Sequence, residues 1–169
     1  LIIDCSGISG TKIKGYKIPE IINTNCLWTI KLAEACINTH TKLIWFSSIH
    51  AKNITLKKEC SLRVNIYGLS KLITENSIFE LNEWERFISI VRLGNLIGAP
   101  GKFFNGDSDL FPLDISKKLI INGRASIDSN PNKMIGYITF SDLLSSEIFK
   151  KTGFHEINNN NKNSLYALS

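Results

Sequence analysis

The amino-acid sequence predicts an α/β fold built on a doubly wound parallel sheet. Three apolar runs, at residues 1–5, 43–46 and 87–93, are typical of strands that are covered on both faces. Two segments between them, at 25–37 and 68–84, carry apolar residues at helical spacing. This alternation of buried strands and helices favours a parallel sheet with right-handed crossover connections.

The first strand covers Leu1–Cys5. The serines and glycines of Ser6–Gly10 end this strand and predict a loop after it. Asn23–Asn25 supplies candidates for the N-cap of the first helix, because an asparagine side chain accepts hydrogen bonds from free backbone N–H groups. The second strand, Leu43–Phe46, is apolar throughout, which is typical of a strand inside a parallel sheet.

Glycine and proline divide the chain after Asn95 into shorter segments. We predict a helix near Leu113–Ile121, short strands at Ala125–Ile127 and Met134–Ile138, and a helix at Ser141–Lys150. Irregular chain after the last main strand indicates a small region that covers a substrate.

Composition argues against several classes of function. The net charge is +5, but the lysines are scattered, which favours a solvated basic surface over a nucleic-acid site. No Cys-x-x-Cys pair occurs and the histidines stand apart, so neither zinc nor a disulfide framework is expected. We predict that Cys5 and Cys36 are small core residues. No apolar run approaches the roughly 20 residues that cross a bilayer, so we expect no membrane association and a cytoplasmic location.

Tyr67 and Lys71 are the most informative pair in the sequence. They lie four residues apart in a predicted helix and therefore share one face of it. An ammonium beside a phenol favours the phenolate, so we expect Lys71 to lower the pKa of Tyr67. Such a pair can exchange protons with a sugar or alcohol hydroxyl at neutral pH.

Polar residues follow three of the predicted strands, at Ser6–Gly7, Ser47–Ser48 and Gly94–Asn95. Ligands of open parallel sheets bind at the carboxyl ends of the strands. The helix of Tyr67 begins 19 residues after Ser48, so its phenol can lie beside the serine hydroxyl.

The order of these parts resembles the extended short-chain dehydrogenase/reductase family, in its nucleotide-sugar epimerase/dehydratase branch. The matching segments are collinear and extend over nearly the whole chain: Ile3–Gly7, Asn25 with Glu34 and Ala35, Trp45–Ser48, Tyr67–Lys71, Arg92–Gly98 and Tyr137–Asp142.

The resemblance implies an NAD or NADP cofactor, a nucleotide-sugar substrate and no metal. It implies that Tyr67 is the general acid/base, that Lys71 binds the nicotinamide ribose and that Ser48 bonds the reacting oxygen. The implied cofactor-binding residues are Cys5, Ser6, Gly7, Asn25, Tyr67, Lys71 and Leu93, and the implied substrate-binding residues are Ser48, His50 and Asn95. Each also has a simpler reading, since a serine can end a strand, Asn25 can cap a helix and Cys5 can fill a core.

The first departure of this sequence from the family pattern concerns the cofactor site. The glycine-rich turn that holds a dinucleotide pyrophosphate is absent, and in the family it precedes the strand with which this chain begins. We therefore expect a fragment that binds the dinucleotide poorly and lacks activity by itself. Residues 1–98 are predicted to be the C-terminal portion of a Rossmann-type NAD(P)-binding domain. Residues 99–169 are predicted to be a substrate-binding region with a returning strand and helix, incomplete at its C-terminus.

A second departure concerns the reaction. Dehydratases of this branch carry an acidic pair just after the catalytic serine or threonine, where this chain has Ile49 and His50. Isoleucine cannot donate a proton, so dehydration is disfavoured. His50 is a substrate contact, a surrogate acid/base or only a loop residue.

A third departure concerns the substrate. Many relatives have Arg-Asp before the segment at Tyr137, and that arginine holds the nucleotide diphosphate, whereas this chain has Ile135 and Gly136. Lys133 or Arg124 could supply the positive charge instead.

The sequence thus favours an NAD(P)-dependent epimerase or keto-reductase that acts on a nucleotide-sugar, in surface-polysaccharide synthesis. The alternative is a non-catalytic relative that binds a nucleotide or a partner. A homodimer through the helices at 25–37 and 68–84 is compatible with either, and Trp28 would suit such an interface.

Overall fold

A computed structural model of the chain describes residues 1–9, 13–52, 62–98, 111–126, 134–157 and 162–164. Within these ranges the strands are β1 (Ile2–Asp4), β2 (Leu43–Ser48), β3 (Ile88–Leu93), β4 (Asn95–Ile97), β5 (Met134–Thr139), β6 (Gly153–Ile157) and β7 (Lys162–Ser164). The α-helices are α1 (Ile18–Ile22), α2 (Trp28–Asn38), α3 (Ile49–Lys52), α4 (Leu62–Phe79), α5 (Trp84–Phe87), α6 (Phe111–Asn122) and α7 (Phe140–Ser145).

The chain separates into two compact units. The first unit combines Leu1–Leu93 with Ser146–Ile157, and the second combines Gly94–Ser145 with Asn158–Ser169. The functional assignment of residues 1–98 and 99–169 to a cofactor domain and a substrate region stays a prediction.

The first unit is built on a parallel sheet with strand order β1-β2-β3-β6. In the register of β2 and β3, Ser47 lies opposite Arg92 and Ser48 lies opposite Leu93. Helices connect the successive parallel strands, as such a sheet requires. The predicted α/β class, with a partial doubly wound sheet of Rossmann type, is confirmed.

The core of this unit forms where α2 and α4 pack against the two central strands. Leu43 and Trp45 of β2 and Ile88 and Ile90 of β3 are fully buried, in contact with Ile78 of α4. Each such side chain contributes about 1.5–3 kcal/mol when it leaves water. The apolar runs that predicted these strands therefore form the centre of the unit.

The first strand is more exposed than its sequence predicts. Ile2 and Ile3 are 38% and 47% exposed, since β1 pairs with β2 along one side only within the described residues. Cys5 follows the last paired residue of β1 and is exposed, so its prediction as a core residue is wrong. Cys36, in α2, is buried as predicted.

The first helical segment begins earlier than predicted. Pro19 lies in the first turn of α1, and the Lys17 N–H donates to Glu20 Oε2 at 2.8 Å. The first turn of a helix favours proline, because the fixed φ of proline is helical and an N–H at this position would have no partner within the helix. A π-helical turn at Asn23–Leu27 continues α1 into α2. Asn25 therefore lies inside the helical run, and its prediction as an N-cap is wrong.

Two further boundaries differ from the prediction. The helix expected at 68–84 begins at Leu62 and ends at Phe79, and a short helix, α5, follows Glu83, whose φ is +61°. The helix expected at 141–150 ends at Ser145, before a 3₁₀ turn at Glu147–Phe149. Strand β6 was not predicted, because its histidine and glutamate obscure the apolar pattern.

The second unit contains β4, parallel to β5, and β7, antiparallel to β5. Thr139 and Asp142 form a capping box at the start of α7: the Asp142 N–H donates to Thr139 Oγ1 at 3.1 Å, and Asp142 Oδ2 accepts the Thr139 N–H at 3.1 Å. Ala125 and Ser126 are not in a strand, contrary to the prediction, and Ile127 lies outside the described residues.

No helix in the described part of the chain is long and apolar enough to cross a membrane.

Candidate functional site

The loop that follows β1 passes beside the Lys71 side chain. Asp4 is buried, and its Oδ1 accepts the Ser6 N–H at 2.8 Å. Gly7 has a φ of +139°, which residues with a side chain rarely adopt. A Cβ at Gly7 would lie 3.3 Å from Asn25 Oδ1 and 3.8 Å from Lys71 Nζ. Glycine is therefore required here both by backbone conformation and by the closeness of two polar side chains.

Asn25 ties this loop to α4. Its Oδ1 accepts the Ile8 N–H at 2.7 Å, and its Nδ2 donates to Ile8 O at 3.1 Å and to Ser70 Oγ at 3.2 Å. The side chain is 1% exposed, so water cannot replace these bonds. Asn25 therefore fixes the loop against the helix that carries Tyr67 and Lys71.

Lys71 is an almost fully buried cation. It is 5% exposed, its Nζ donates to Phe46 O at 2.9 Å, and Nζ lies 4.7 Å from the centre of the Trp45 ring. Burial lowers its pKa from 10.5 to about 8, although the charges of Asp4, Cys26 and Glu75 act in the opposite direction.

Tyr67 does not have the lowered pKa that the sequence predicts. Burial raises the pKa of the phenol, and a hydrogen bond with Ser48 lowers it by less. Lys71 shares the helix with Tyr67, but its ammonium is bonded to Phe46 O. The prediction is wrong because loss of water around the phenol outweighs any effect of the neighbouring cation.

Ser48 and His50 lie beside Tyr67. Ser48 ends β2, and its Oγ accepts the His50 N–H at 3.2 Å. The rings of His50 and Tyr67 meet edge to face, with their centres 6.0 Å apart. Partial burial lowers the pKa of His50, which favours the neutral imidazole at pH 7.

Leu93 and Asn95 follow each other closely in sequence but belong to different units. Leu93 ends β3 opposite Ser48, within the first unit. Asn95 belongs to the second unit, where its Nδ2 donates to Gly136 O at 3.2 Å. Cys5 and Ser6 are exposed in the loop beside Gly7.

The structure therefore brings together most of the predicted site residues within the first unit. Their roles stay predictions, as does the role of Asn95. Sequence reasoning missed three neighbours of Lys71: Asp4, Trp45 and Glu75. The sequence did contain a signal for Glu75: it lies four residues after Lys71, and this spacing places the two side chains on one face of the helix. Among the described residues, no three His, Cys, Asp or Glu side chains are grouped so as to hold a metal ion.

Comparison with models of known protein families gives no match, and comparison with curated proteins gives none either. Solved structures do share the fold. ADP-L-glycero-D-manno-heptose-6-epimerase of Helicobacter pylori is 18% identical with a TM-score of 0.72, over 90% of this chain and 51% of that one.

Two further structures contain a dinucleotide. dTDP-4-dehydrorhamnose reductase of Bacillus anthracis, in complex with NADP, is 19% identical with a TM-score of 0.71, over 98% of this chain and 58% of that one. The Bordetella bronchiseptica enzyme WbmG, in complex with NAD and UDP, is 18% identical with a TM-score of 0.64, over 89% of this chain and 48% of that one.

These neighbours are thus an epimerase, a reductase in complex with NADP and an enzyme in complex with NAD and UDP. The resemblance inferred from the motifs is therefore confirmed at the level of the fold. The chain spans about half the length of the structures that it matches.

We predict that Asn25→Ala lowers the free energy of unfolding by about 2–4 kcal/mol, because it leaves the buried Ile8 N–H and C=O without partners. Urea denaturation followed by circular dichroism measures the change. Asn76→Ala is the matched control: Asn76 is exposed in α4 and makes one bond, to Leu72 O. Equal losses for the two variants would contradict the role assigned to Asn25.

We predict that the stability of the wild type relative to Lys71→Met rises with pH. The charged form of Lys71 is penalised by burial, and this penalty is fully present below pH 8. It is lost as pH rises from about 8 to 10.5, because only the unfolded state then binds the proton. The stability difference between the two proteins should change by roughly 3 kcal/mol over that range.

Urea denaturation at pH 7 to 10.5 measures this difference. Lys31→Met is the control, because Lys31 is exposed on α2 and its ammonium stays in water in both states. A difference between wild type and Lys71→Met that stays constant with pH would contradict the buried charge.

Proposed function

We propose that the chain is part of an NAD(P)-dependent epimerase or keto-reductase that acts on a nucleotide-sugar. The observation that carries this proposal is the grouping of Ser48, Tyr67 and Lys71 beside the Gly7 loop, at the carboxyl ends of β1 and β2. A role in surface-polysaccharide synthesis and a cytoplasmic location belong to the same proposal.

The Gly7 loop suits a nicotinamide dinucleotide. Cys5, Ser6 and Gly7 are exposed there, and the missing Cβ of Gly7 leaves backbone accessible next to Lys71 Nζ. Lys71 would bind the ribose hydroxyls with its ammonium, in place of Phe46 O. The dinucleotide, when bound, accepts or donates the hydride of the reaction.

Tyr67 would exchange the proton of the substrate oxygen. Its raised pKa keeps the phenol protonated at neutral pH, which is the form that donates a proton when a ketone is reduced. An epimerase requires the reverse step first, in which the phenolate takes the proton of a hydroxyl. Ser48 would hold the same oxygen, since its Oγ is fixed by the His50 N–H and its hydroxyl bonds Tyr67, beside which the substrate oxygen would lie.

His50 would contact the sugar from α3. Its ring packs on Tyr67, and a neutral imidazole can accept a hydrogen bond from a hydroxyl. The position after Ser48 holds Ile49, so no acidic group is available there to expel water. This supports epimerisation or reduction over dehydration.

The second unit offers a place for a diphosphate. A cleft of about 720 Å³ is lined by Lys118, Asn122, Arg124, Ala125 and Ser126. A guanidinium and an ammonium at one cleft favour a phosphate ligand, and arginine can bind it with two parallel bonds. Arg124 would thus supply the charge that Ile135 and Gly136 lack, while Lys133 lies outside the described residues.

The enzyme proposal has a direct test in NADH and NADPH binding, measured by nicotinamide fluorescence for this chain and for the complete gene product. We expect the complete product to bind one dinucleotide. Lys71→Met should weaken binding about tenfold or more, because a charged hydrogen bond contributes about 1.5–3 kcal/mol. Tyr67→Phe, which keeps the ring, should weaken binding less than Lys71→Met while it abolishes turnover of UDP- and dTDP-linked sugars.

Absence of dinucleotide binding by the complete product would contradict the proposal. Binding that does not depend on Lys71, without turnover, would favour the alternative of a non-catalytic relative. The bond from Lys71 to Phe46 O, rather than to a group of the active site, is the observation that supports this alternative.

We also propose a homodimer through the helical segments at 25–37 and 68–84. Leu27 and Trp28 are 47% and 56% exposed, and Ile73 of α4 is 40% exposed. Large apolar side chains on two packed helices are typical of an interface.

We therefore expect Trp28→Glu to raise the dimer dissociation constant at least about tenfold in analytical ultracentrifugation, since buried tryptophans dominate interface energies. Leu144→Glu is the matched control, because Leu144 is an apolar residue of α7 that is 68% exposed. A wild type that stays monomeric at high concentration would exclude the dimer.

A further inference from the structure

A chain of polar and charged side chains runs through the first unit, behind the candidate site. We call it the Glu75 network. Its five members come from five different elements: Ser47 of β2, Glu75 of α4, Arg92 of β3, Glu156 of β6 and Lys52 of α3.

The centre of the Glu75 network is a buried carboxylate with three donors. Ser47 Oγ donates to Glu75 Oε1, and Arg92 Nε donates to the same oxygen at 3.1 Å. Arg92 Nη2 bonds the second oxygen, Oε2. The Glu75 side chain is 1% exposed, and such two-bond contacts fix a carboxylate in both position and orientation.

The outer part of the Glu75 network is closer to water. Arg92 Nη1 lies 3.3 Å from Glu156 Oε2, and Lys52 Nζ lies 2.8 Å from Glu156 Oε1. The Arg92 guanidinium also stacks over the Phe154 ring, 4.9 Å from its centre. Lys52 is 57% exposed, so this end contributes little to stability.

Members of the Glu75 network lie next to predicted site residues. Ser47 directly precedes Ser48 in β2. Arg92 directly precedes Leu93 in β3. Glu75 follows Lys71 by four residues, one helical turn, in α4. The bonds among Ser47, Glu75 and Arg92 therefore fix β2, α4 and β3 relative to one another, and these are the three elements that carry the site residues.

The Glu75 carboxylate also acts on the charge of Lys71. Three groups from the surrounding elements raise the pKa of Lys71 against the effect of burial: Asp4 from β1, Cys26 from the π-helical turn, and Glu75 from α4 itself. Tyr67 lies one turn before Lys71 on the same helix, and its phenol is protonated at neutral pH. Asp4 and Glu75 are the carboxylates among these groups.

Stability alone does not explain a buried carboxylate. Replacing a buried ion pair by apolar residues of similar volume is often neutral or stabilising, whereas removing one partner is strongly destabilising. A negative charge that is fixed by Ser47 and Arg92, one turn from a buried ammonium, has a further consequence for the site. It opposes deprotonation of that ammonium, whose charge would strengthen the hydrogen bonds to ribose hydroxyls in the proposed function.

We propose that Glu75 is a positioning residue that, anchored by Ser47 and Arg92, keeps Lys71 charged and correctly placed in the site. The importance of this role for catalysis rests on the proposed function, but the effect of Glu75 on Lys71 exists without cofactor or substrate.

Trp45 provides the readout, because Lys71 Nζ lies over its ring. In the full chain with Trp28→Phe and Trp84→Phe, Trp45 is the remaining tryptophan. Its fluorescence should titrate with a midpoint near pH 8 as Lys71 loses its proton. Lys71→Met in the same background should abolish this step, which assigns the signal.

Glu75→Gln should move the midpoint down, because a negative charge one helical turn from the ammonium is lost. Glu156→Gln is the matched control. It breaks the outer part of the Glu75 network, but Glu156 is not among the groups that act on Lys71, so the midpoint should stay unchanged. Urea denaturation of both variants separates an effect on stability from an effect on the titration.

If Glu75→Gln does not fold, the double variant Glu75→Gln/Arg92→Gln removes both charges of the buried pair. It should shift the midpoint downward by less than Glu75→Gln would, because loss of the Arg92 charge acts on Lys71 in the opposite direction. An unchanged midpoint after loss of the Glu75 charge, or an equal shift with Glu156→Gln, would overturn the proposal. Because no dinucleotide is present, the titration can support or refute the role of Glu75 even if the complete gene product proves not to bind NADH.

Discussion

The arrangement of the first unit depends on the burial of one positive charge, the Lys71 ammonium. A cation that leaves water must find compensating partners, and those available here are a carbonyl oxygen, an aromatic face and nearby carboxylates. The carbonyl belongs to Phe46 and the ring to Trp45. Both residues lie in β2, so these contacts join β2 to the helix that carries Lys71. Asp4 places a carboxylate on the first strand. Residues that are distant in sequence thus compensate the burial of a single side chain.

Burial of the Tyr67 side chain controls the protonation of its own phenol. A phenol in a dry environment holds its proton, and the hydrogen bond with Ser48 opposes this only in part. The structure therefore presents Tyr67 as a protonated phenol and Lys71 as a cation bonded to Phe46 O. Any ligand that replaced Phe46 O as the partner of the Lys71 ammonium would change the electrostatic field at the Tyr67 hydroxyl. In the proposed enzyme, the protonation of Tyr67 would therefore depend on whether a ligand is bound beside Lys71.

Much of the fold could be predicted because its signals are local. Runs of apolar residues identified β2 and β3, and Ser48 was correctly placed at the end of a strand. A four-residue step put Tyr67 and Lys71 on one helix. Strand β6 was missed because its polar residues obscure the apolar pattern, and Glu156 pairs with Arg92 of β3, 64 residues away. A pattern of apolar residues cannot reveal a strand whose polar side chains are satisfied by distant partners.

The sequence by itself therefore determined the fold class and the central strands, and it placed Ser48 at the end of a strand and Tyr67 and Lys71 on one helix. Only the tertiary structure decided that Asn25 clamps a loop instead of capping a helix, that Cys5 is exposed, and that the Tyr67 pKa is raised. It also decided that Glu75 joins Ser47 and Arg92 behind the site. The physical reason is that periodicity follows from neighbouring residues, whereas dielectric environment and hydrogen-bond partners depend on the segments that fold against each other.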